Sequence, residues 1–236
     1  MFIEDQLAVT PSSFQQGFPS ISAVLPVYNE ASAVKRVLDI LCQCELIQQI
    51  VVVDDGSTDG SAQKVVEAMD CDARIHLLTH ARNLGKGQAV FSGLQSTQSD
   101  LILLLDADLW GLRVQHVEEL IIGVLKDNLD MTVGIFRGGK IYSDFSHWAT
   151  PWLSGQRCLW RKHLEGICWK AAEGYGLETA ITVASFRKHW RCKYVIWRGV
   201  FHPPSEIHRG IFDGILNRAK MYLQIGRAFL LANLNS

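Results

Sequence analysis

The sequence predicts an α/β protein built on a mostly parallel sheet with helices covering both faces. Three observations lead there. Short aliphatic runs recur, among them Ile50-Val51-Val52-Val53 and Leu101 to Leu105; they are too short to span a membrane and lack helical periodicity, so they read as strands buried on both faces. The segments between such runs carry apolar residues at helical spacing, as at Val34, Val37, Leu38 and Leu41. Strand and helix then alternate along the first half, the pattern of parallel strands joined by helical crossovers.

In order along the chain, residues 1 to about 19 hold Pro11, Ser12, Ser13, Gly17 and Pro19 without a clear period and form a lead-in. A strand begins at Ile21, and Pro26 is expected to stop it, with Asn29 capping an amphipathic helix over 31–44. The strand Ile50 to Val53 ends in Asp54-Asp55-Gly56-Ser57-Thr58-Asp59-Gly60-Ser61, whose Asp, Ser and Gly residues suit a turn and the start of a helix reaching Met69. Arg74 to Thr79 is a third strand. Arg82-Asn83-Leu84-Gly85-Lys86-Gly87 opens a helix with Ala89, Val90, Gly93 and Leu94 on one face. After the Leu101 to Leu105 strand comes a helix from Val114 to Leu125, with Val117, Ile121 and Val124 in register.

Asp106 and Asp108 follow this last strand. Two positions apart, they share a face, and at a strand end both can turn toward one ion. A hard divalent cation takes oxygen ligands, and Mg²⁺ in particular is held by one or two carboxylates together with substrate phosphates. Alone, such a pair serves equally well to cap a turn. Ligands in open parallel sheets bind beyond the carboxyl ends of the strands. Tyr28-Asn29-Glu30, Asp54-Asp55 and Asp106/Asp108 all follow strand carboxyl ends, so the fold brings them to one rim.

The second half differs in character: six of the seven tryptophans lie between Trp148 and Trp197, and aromatic faces there suit core packing or stacking on a sugar. The last segment, Ile207 to Leu234, reads as a basic amphipathic helix, which packs on its own domain or rests on an anionic membrane. The 236 residues suit one domain, and a net charge of −1 argues against a general basic surface for nucleic acid. The acids near Met1 stand where a secretory signal carries basic residues. The six cysteines include no Cys-x-x-Cys pair. A cytoplasmic protein with reduced thiols is expected.

Pro26-Val27-Tyr28-Asn29-Glu30, Val53-Asp54-Asp55-Gly56-Ser57-Thr58-Asp59, Asn83-Leu84-Gly85-Lys86-Gly87 and Asp106-Ala107-Asp108, in that order, resemble the family 2 glycosyltransferases with the GT-A fold. The resemblance implies that Pro26, Tyr28 and Glu30 line the pocket for the base and ribose of a UDP- or GDP-linked sugar. It implies that Asp54 or Asp55 hydrogen-bonds the base, and that Lys86 approaches the diphosphate. It implies a Mg²⁺ or Mn²⁺ ion on Asp108, helped by Asp106. Further on, Leu153-Ser154-Gly155-Gln156-Arg157, Gly174-Tyr175-Gly176-Leu177-Glu178 and Gly199-Val200-Phe201-His202 resemble the acceptor half of a branch that glucosylates small phosphorylated acids or glycosylates polyprenyl phosphates. There the resemblance implies His202 as a further metal ligand, with His208 as a rival. Glu178 becomes an acceptor-side carboxylate that can serve as base, and Arg157 a contact for the transferred sugar or an anionic acceptor. Residues 1–236 are then one domain, with a nucleotide-sugar half over about 20–125 and an acceptor half over about 126–236.

Two alternatives accompany the soluble transferase: a polyprenyl-phosphate sugar transferase whose terminal helix is a foot on the membrane, and a nucleotide-sugar-binding protein without catalysis. A P-loop is disfavoured, because Gly85-Lys86-Gly87 lacks a Ser or Thr after the lysine and His80 stands where the first glycine belongs.

Overall fold

The computed structural model describes residues 17–137, 154–167, 169 and 176–202. The expected helix over 207–234, most of the lead-in, Trp148, Trp152 and His208 lie outside the described residues. Among the described residues no helix is long and apolar enough to cross a membrane.

The strands are β1 (Ile21–Val27), β2 (Gln49–Asp54), β3 (Ile75–Thr79), β4 (Leu101–Leu104), β5 (Met131–Arg137), β6 (Arg157–Trp160) and β7 (Cys192–Arg198). The helices are α1 (Val34–Gln43), α2 (Ser61–Met69), α3 (Lys86–Gln95), α4 (Val114–Lys126), α5 (Arg161–Glu165) and α6 (Leu177–Arg187). The sheet has seven strands in the order β3-β2-β1-β4-β6-β5-β7. β1 pairs in parallel with β2 and β4, β2 with β3, and β5 with β7, whereas β6 runs antiparallel to both β4 and β5.

Strand alternation divides the core. Ala23, Leu25, Ile50 and Val52 face one side, where α1 and α4 bury Val37, Leu38, Leu41, Val117 and Ile121. Val24, Val51 and Val53 face the other, under Ala89, Val90 and Leu94 of α3 and Ile181 of α6. Each fully buried Val, Leu or Ile contributes roughly 1.5–3 kcal/mol relative to exposure. A Cβ on Gly93 would come within 2.6 Å of Val24 Cγ1, so the glycine allows α3 to lie close on β1.

Two local expectations need correction. Pro26 does not stop β1, which continues through Val27, with Pro26 opposite Val53. The Val24 carbonyl accepts from Leu105 N and the Val27 carbonyl from Asp55 N, so Pro26, like Val24, faces the β4 side. Pairing with β4 ends at Val24 opposite Leu104, and the missing proline N–H therefore costs no ladder bond. Asn29 does not cap α1, which starts five residues later. Asn29 has φ +56°. Its side-chain oxygen accepts from Thr58 N at 2.9 Å, while Ser57 Oγ, Ser61 Oγ and Asp59 Oδ2 accept from the backbone of Asn29, Glu30 and Ala31. These bonds lock the loop after β1 to the loop after β2 and place Tyr28 and Glu30 at the rim.

Candidate active site

Beyond the carboxyl ends of β1, β2 and β4 lies a cleft of about 480 Å³. Pro26, Tyr28, Glu30, Asp55, Lys86, Asp106, Asp108 and His202 are among the residues that line it. The sheet thus brings to one place side chains that the sequence scatters over most of the chain.

Asp106, Asp108 and His202 each offer a donor atom, and the three atoms lie within 4.8 Å of one another. His202 Nδ1 is 2.7 Å from Asp108 Oδ1, and its Nε2 is 3.7 Å from Asp106 Oδ2. Burial alone would lower the His202 pKa; the hydrogen bond and charge of Asp108, with Asp106 behind it, outweigh burial and raise it. Two carboxylates and an imidazole form a donor set that fits Mn²⁺ or Mg²⁺.

His202 reaches this place on a strap. Trp110, just after Asp108, exchanges both backbone hydrogen bonds with Phe201 at 2.9 and 3.1 Å, and their rings stack with centroids 6.3 Å apart. The Arg36 guanidinium lies over the Trp110 ring at 3.8 Å, a cation–π contact that ties α1 to the same point. Gly111 makes the approach feasible. Its φ is +71°, and a Cβ there would sit 2.1 Å from the Gly199 carbonyl oxygen. Gly111→Ala is therefore expected to cost about 2 kcal/mol or more in urea unfolding and to loosen His202 from Asp108. A variant as stable as the parent would show that the strap has slack.

Lys86, the first residue of α3, places Nζ 2.5 Å from Asp106 Oδ1 and 2.5 Å from Glu178 Oε1 on α6. Burial would lower the Lys86 pKa, but the two carboxylates prevail and raise it. Burial likewise would raise Asp106, and the Lys86 charge wins, holding it at about 2. A Cβ on Gly155 would fall 2.7 Å from Lys86 Nζ and 2.9 Å from Asp106 Oδ2, so a larger residue there would push this pair aside. Glu30 differs: burial first, then the neighbouring charges of Asp108 and Asp59, lift its pKa to about 7. A cation among these carboxylates would oppose that rise.

Of the remaining expected site residues, Asp55 lines the cleft, and Asp54 and Arg157 do not. Asp54 is 1% exposed and does not line the cleft; its Oδ1 accepts from Ser57 N at 3.4 Å. Asp55 lines it, but its oxygens are engaged by His80 Nδ1 and by the amides of Leu84 and Gly85 at 2.7–2.9 Å, so it shapes the loop that presents Lys86. Arg157 is 1% exposed on β6 and does not line the cleft. Its Nε donates to Ser154 O at 2.8 Å and its Nη2 to Thr182 Oγ1 at 3.0 Å. Burial lowers its pKa to about 10, and the bond to Thr182 braces β6 against α6. Sequence reasoning passed over its neighbour Gln156, whose amide hydrogen-bonds Asp106 twice.

The family described as "Glycosyl transferase family 2" matches residues 22–190. Among curated relatives, the undecaprenyl-phosphate 4-deoxy-4-formamido-L-arabinose transferase of Yersinia pestis is 36% identical over 102 residues, 41% of this chain. The protein of the same description from Yersinia pseudotuberculosis matches equally. The matched stretch spans only 31% of these relatives' length. Among solved structures, glucosyl-3-phosphoglycerate synthase of Mycobacterium tuberculosis with Mg²⁺ and UDP superposes with a TM-score of 0.74 at 20% identity, covering 96% of this chain and 84% of that one. The same enzyme with Mn²⁺, UDP-glucose and phosphoglyceric acid gives 0.73 at 20% identity, over 97% and 85%. At such identity the likeness speaks to the fold, which is GT-A. With the family match spanning most of the sheet and the cleft, the chain belongs to glycosyl transferase family 2.

Proposed function

We propose that the protein is a metal-dependent glycosyltransferase that moves a sugar from a UDP- or GDP-linked donor to a small hydroxyl or phosphate acceptor. The observation that carries this reading is the meeting of Asp106, Asp108 and His202 within 4.8 Å at the edge of a cleft. These three residues would hold Mg²⁺ or Mn²⁺, which when bound neutralises charge building on the departing diphosphate. Tyr28, 40% exposed beside Pro26, offers a ring face to the base, and Glu30 lies within reach of the same pocket. Lys86 balances Asp106 and Glu178 and adds positive charge on the phosphate side.

In the transfer, the bond from the anomeric carbon to the diphosphate oxygen breaks and one to the acceptor oxygen forms. With a hydroxyl acceptor, the proton passes to a base, for which Glu178 is the candidate once it leaves Lys86. A phosphate acceptor needs no base. Residues 1–236 act here as one domain, its nucleotide side ending near residue 125.

The relatives that act on undecaprenyl phosphate favour a second reading, in which the acceptor is a polyprenyl phosphate and the protein, cytoplasmic in either case, touches the membrane from that side. One experiment addresses both. UDP- and GDP-sugars are screened by thermal shift with and without Mn²⁺, and the donor so found is offered a small phosphorylated acid or polyprenyl phosphate in vesicles. The true donor is expected to raise Tm by several degrees only with Mn²⁺, since a ligand that binds the native state stabilises it by mass action. A donor that binds but yields no diphosphonucleoside with either acceptor would leave a binding protein instead of an enzyme.

A further inference from the structure

We propose that Gln156 is a positioning residue that sets the orientation of Asp106 toward the cation, an inference that rests on the metal-dependent reading above. Gln156 is 1% exposed, and its amide is spent on one residue. Its Oε1 accepts from Asp106 N at 3.0 Å, and its Nε2 donates to Asp106 Oδ2 at 2.7 Å. The amide can point only this way, because a backbone N–H needs the carbonyl opposite it and the carboxylate then receives the NH₂.

Asp106 needs such a partner because β4 ends at Leu104, and the last ladder contact on that side is Leu105 N to Val24 O. Beyond it no strand among the described residues holds the backbone, and the carboxylate could rotate toward Lys86 with both oxygens. Gln156 fixes the peptide and the carboxylate plane together. Oδ1 is left to Lys86 at 2.5 Å, and Oδ2 lies on the His202 side, 3.7 Å from Nε2. Gln156 is itself anchored away from the cleft: its carbonyl accepts from Gly134 N at 2.8 Å, and its N–H donates to Ser154 Oγ at 3.3 Å. A neutral amide suits the task. A carboxylate in its place would repel Asp106, and an ammonium would compete with the cation.

The test is Mn²⁺ titration of the full chain followed by the electron paramagnetic resonance signal of free Mn²⁺, with Tm measured in parallel. The variants are Gln156→Met, which keeps length and volume, and Ser154→Ala, which disturbs the same turn but leaves the amide. Gln156→Met is expected to raise the Mn²⁺ dissociation constant about tenfold or more, the usual cost of removing a group that orients a metal ligand. Ser154→Ala is expected to lower Tm yet bind Mn²⁺ within twofold of the parent. If Gln156→Met does not fold, Gln156→Asn, polar and too short to make both bonds, takes its place with the same expectation. A folded Gln156 variant that binds Mn²⁺ within twofold of the parent overturns the proposal while leaving the transferase reading intact. A parent chain that binds no Mn²⁺ overturns the metal-dependent reading and this proposal with it.

Discussion

Asp108→Ala is expected to reduce sugar transfer at least about a hundredfold while the protein stays folded. Asp108 meets His202 through Oδ1 at 2.7 Å, and both belong to the trio with Asp106. Its removal takes one oxygen ligand directly and frees the imidazole to turn away from the others. A cation that offsets charge on a leaving diphosphate contributes several kcal/mol to the transition state, so losing the ion is felt mainly in kcat. The fold should tolerate the change, because the Asp108 side chain is 27% exposed and follows the buried strand without being part of it. The measurement is diphosphonucleoside release with the donor found by thermal shift, across a Mn²⁺ titration. Near-parental turnover would remove Asp108 from the metal site.

Lys86→Met is expected to damage stability as well as catalysis. The ammonium is shared between Asp106 and Glu178 at 2.5 Å from each, closer than the His202 imidazole, whose Nε2 lies 3.7 Å from Asp106. Removing one partner of a buried ion pair costs about 3–5 kcal/mol because a charge is left uncompensated. With Lys86 27% exposed, solvent reduces that to about 2 kcal/mol, a fall in Tm of about 4–8 °C for a chain of this size. Mn²⁺ is expected to restore part of the loss, since a dication at the trio again balances Asp106. A variant with parental Tm would mean that the carboxylates find other compensation.

The nucleotide-side half was legible because its signals are local. Aliphatic runs marked β2 and β4, and the apolar stripe marked α1 and α4, all within a few residues. The error at Asn29 arose because its side chain bonds Thr58 rather than its own helix, a long-range choice that no local pattern records. Asp106 and Asp108 could be read from their place after a strand. His202 came only from resemblance, since what puts it beside Asp108 is a bridge between Trp110 and Phe201. Arg157 entered only through the resemblance, and its sequence neighbours do not show that it is buried with Nε on Ser154 O and Nη2 on Thr182 Oγ1. Gln156 was overlooked because an amide carries neither charge nor a pattern, and its role shows only when Asp106 lies opposite it.

The strap that carries His202 has a consequence for synthesis. The chain through α4 already contains both aspartates, but the imidazole joins them only after β5, β6 and β7 have extended the sheet and residue 202 has left the ribosome. Contacts of such sequence separation form late. A nascent molecule can thus order β1 to α4 long before Asp106, Asp108 and His202 stand together, and the cleft gains its imidazole only when the distant second half has docked.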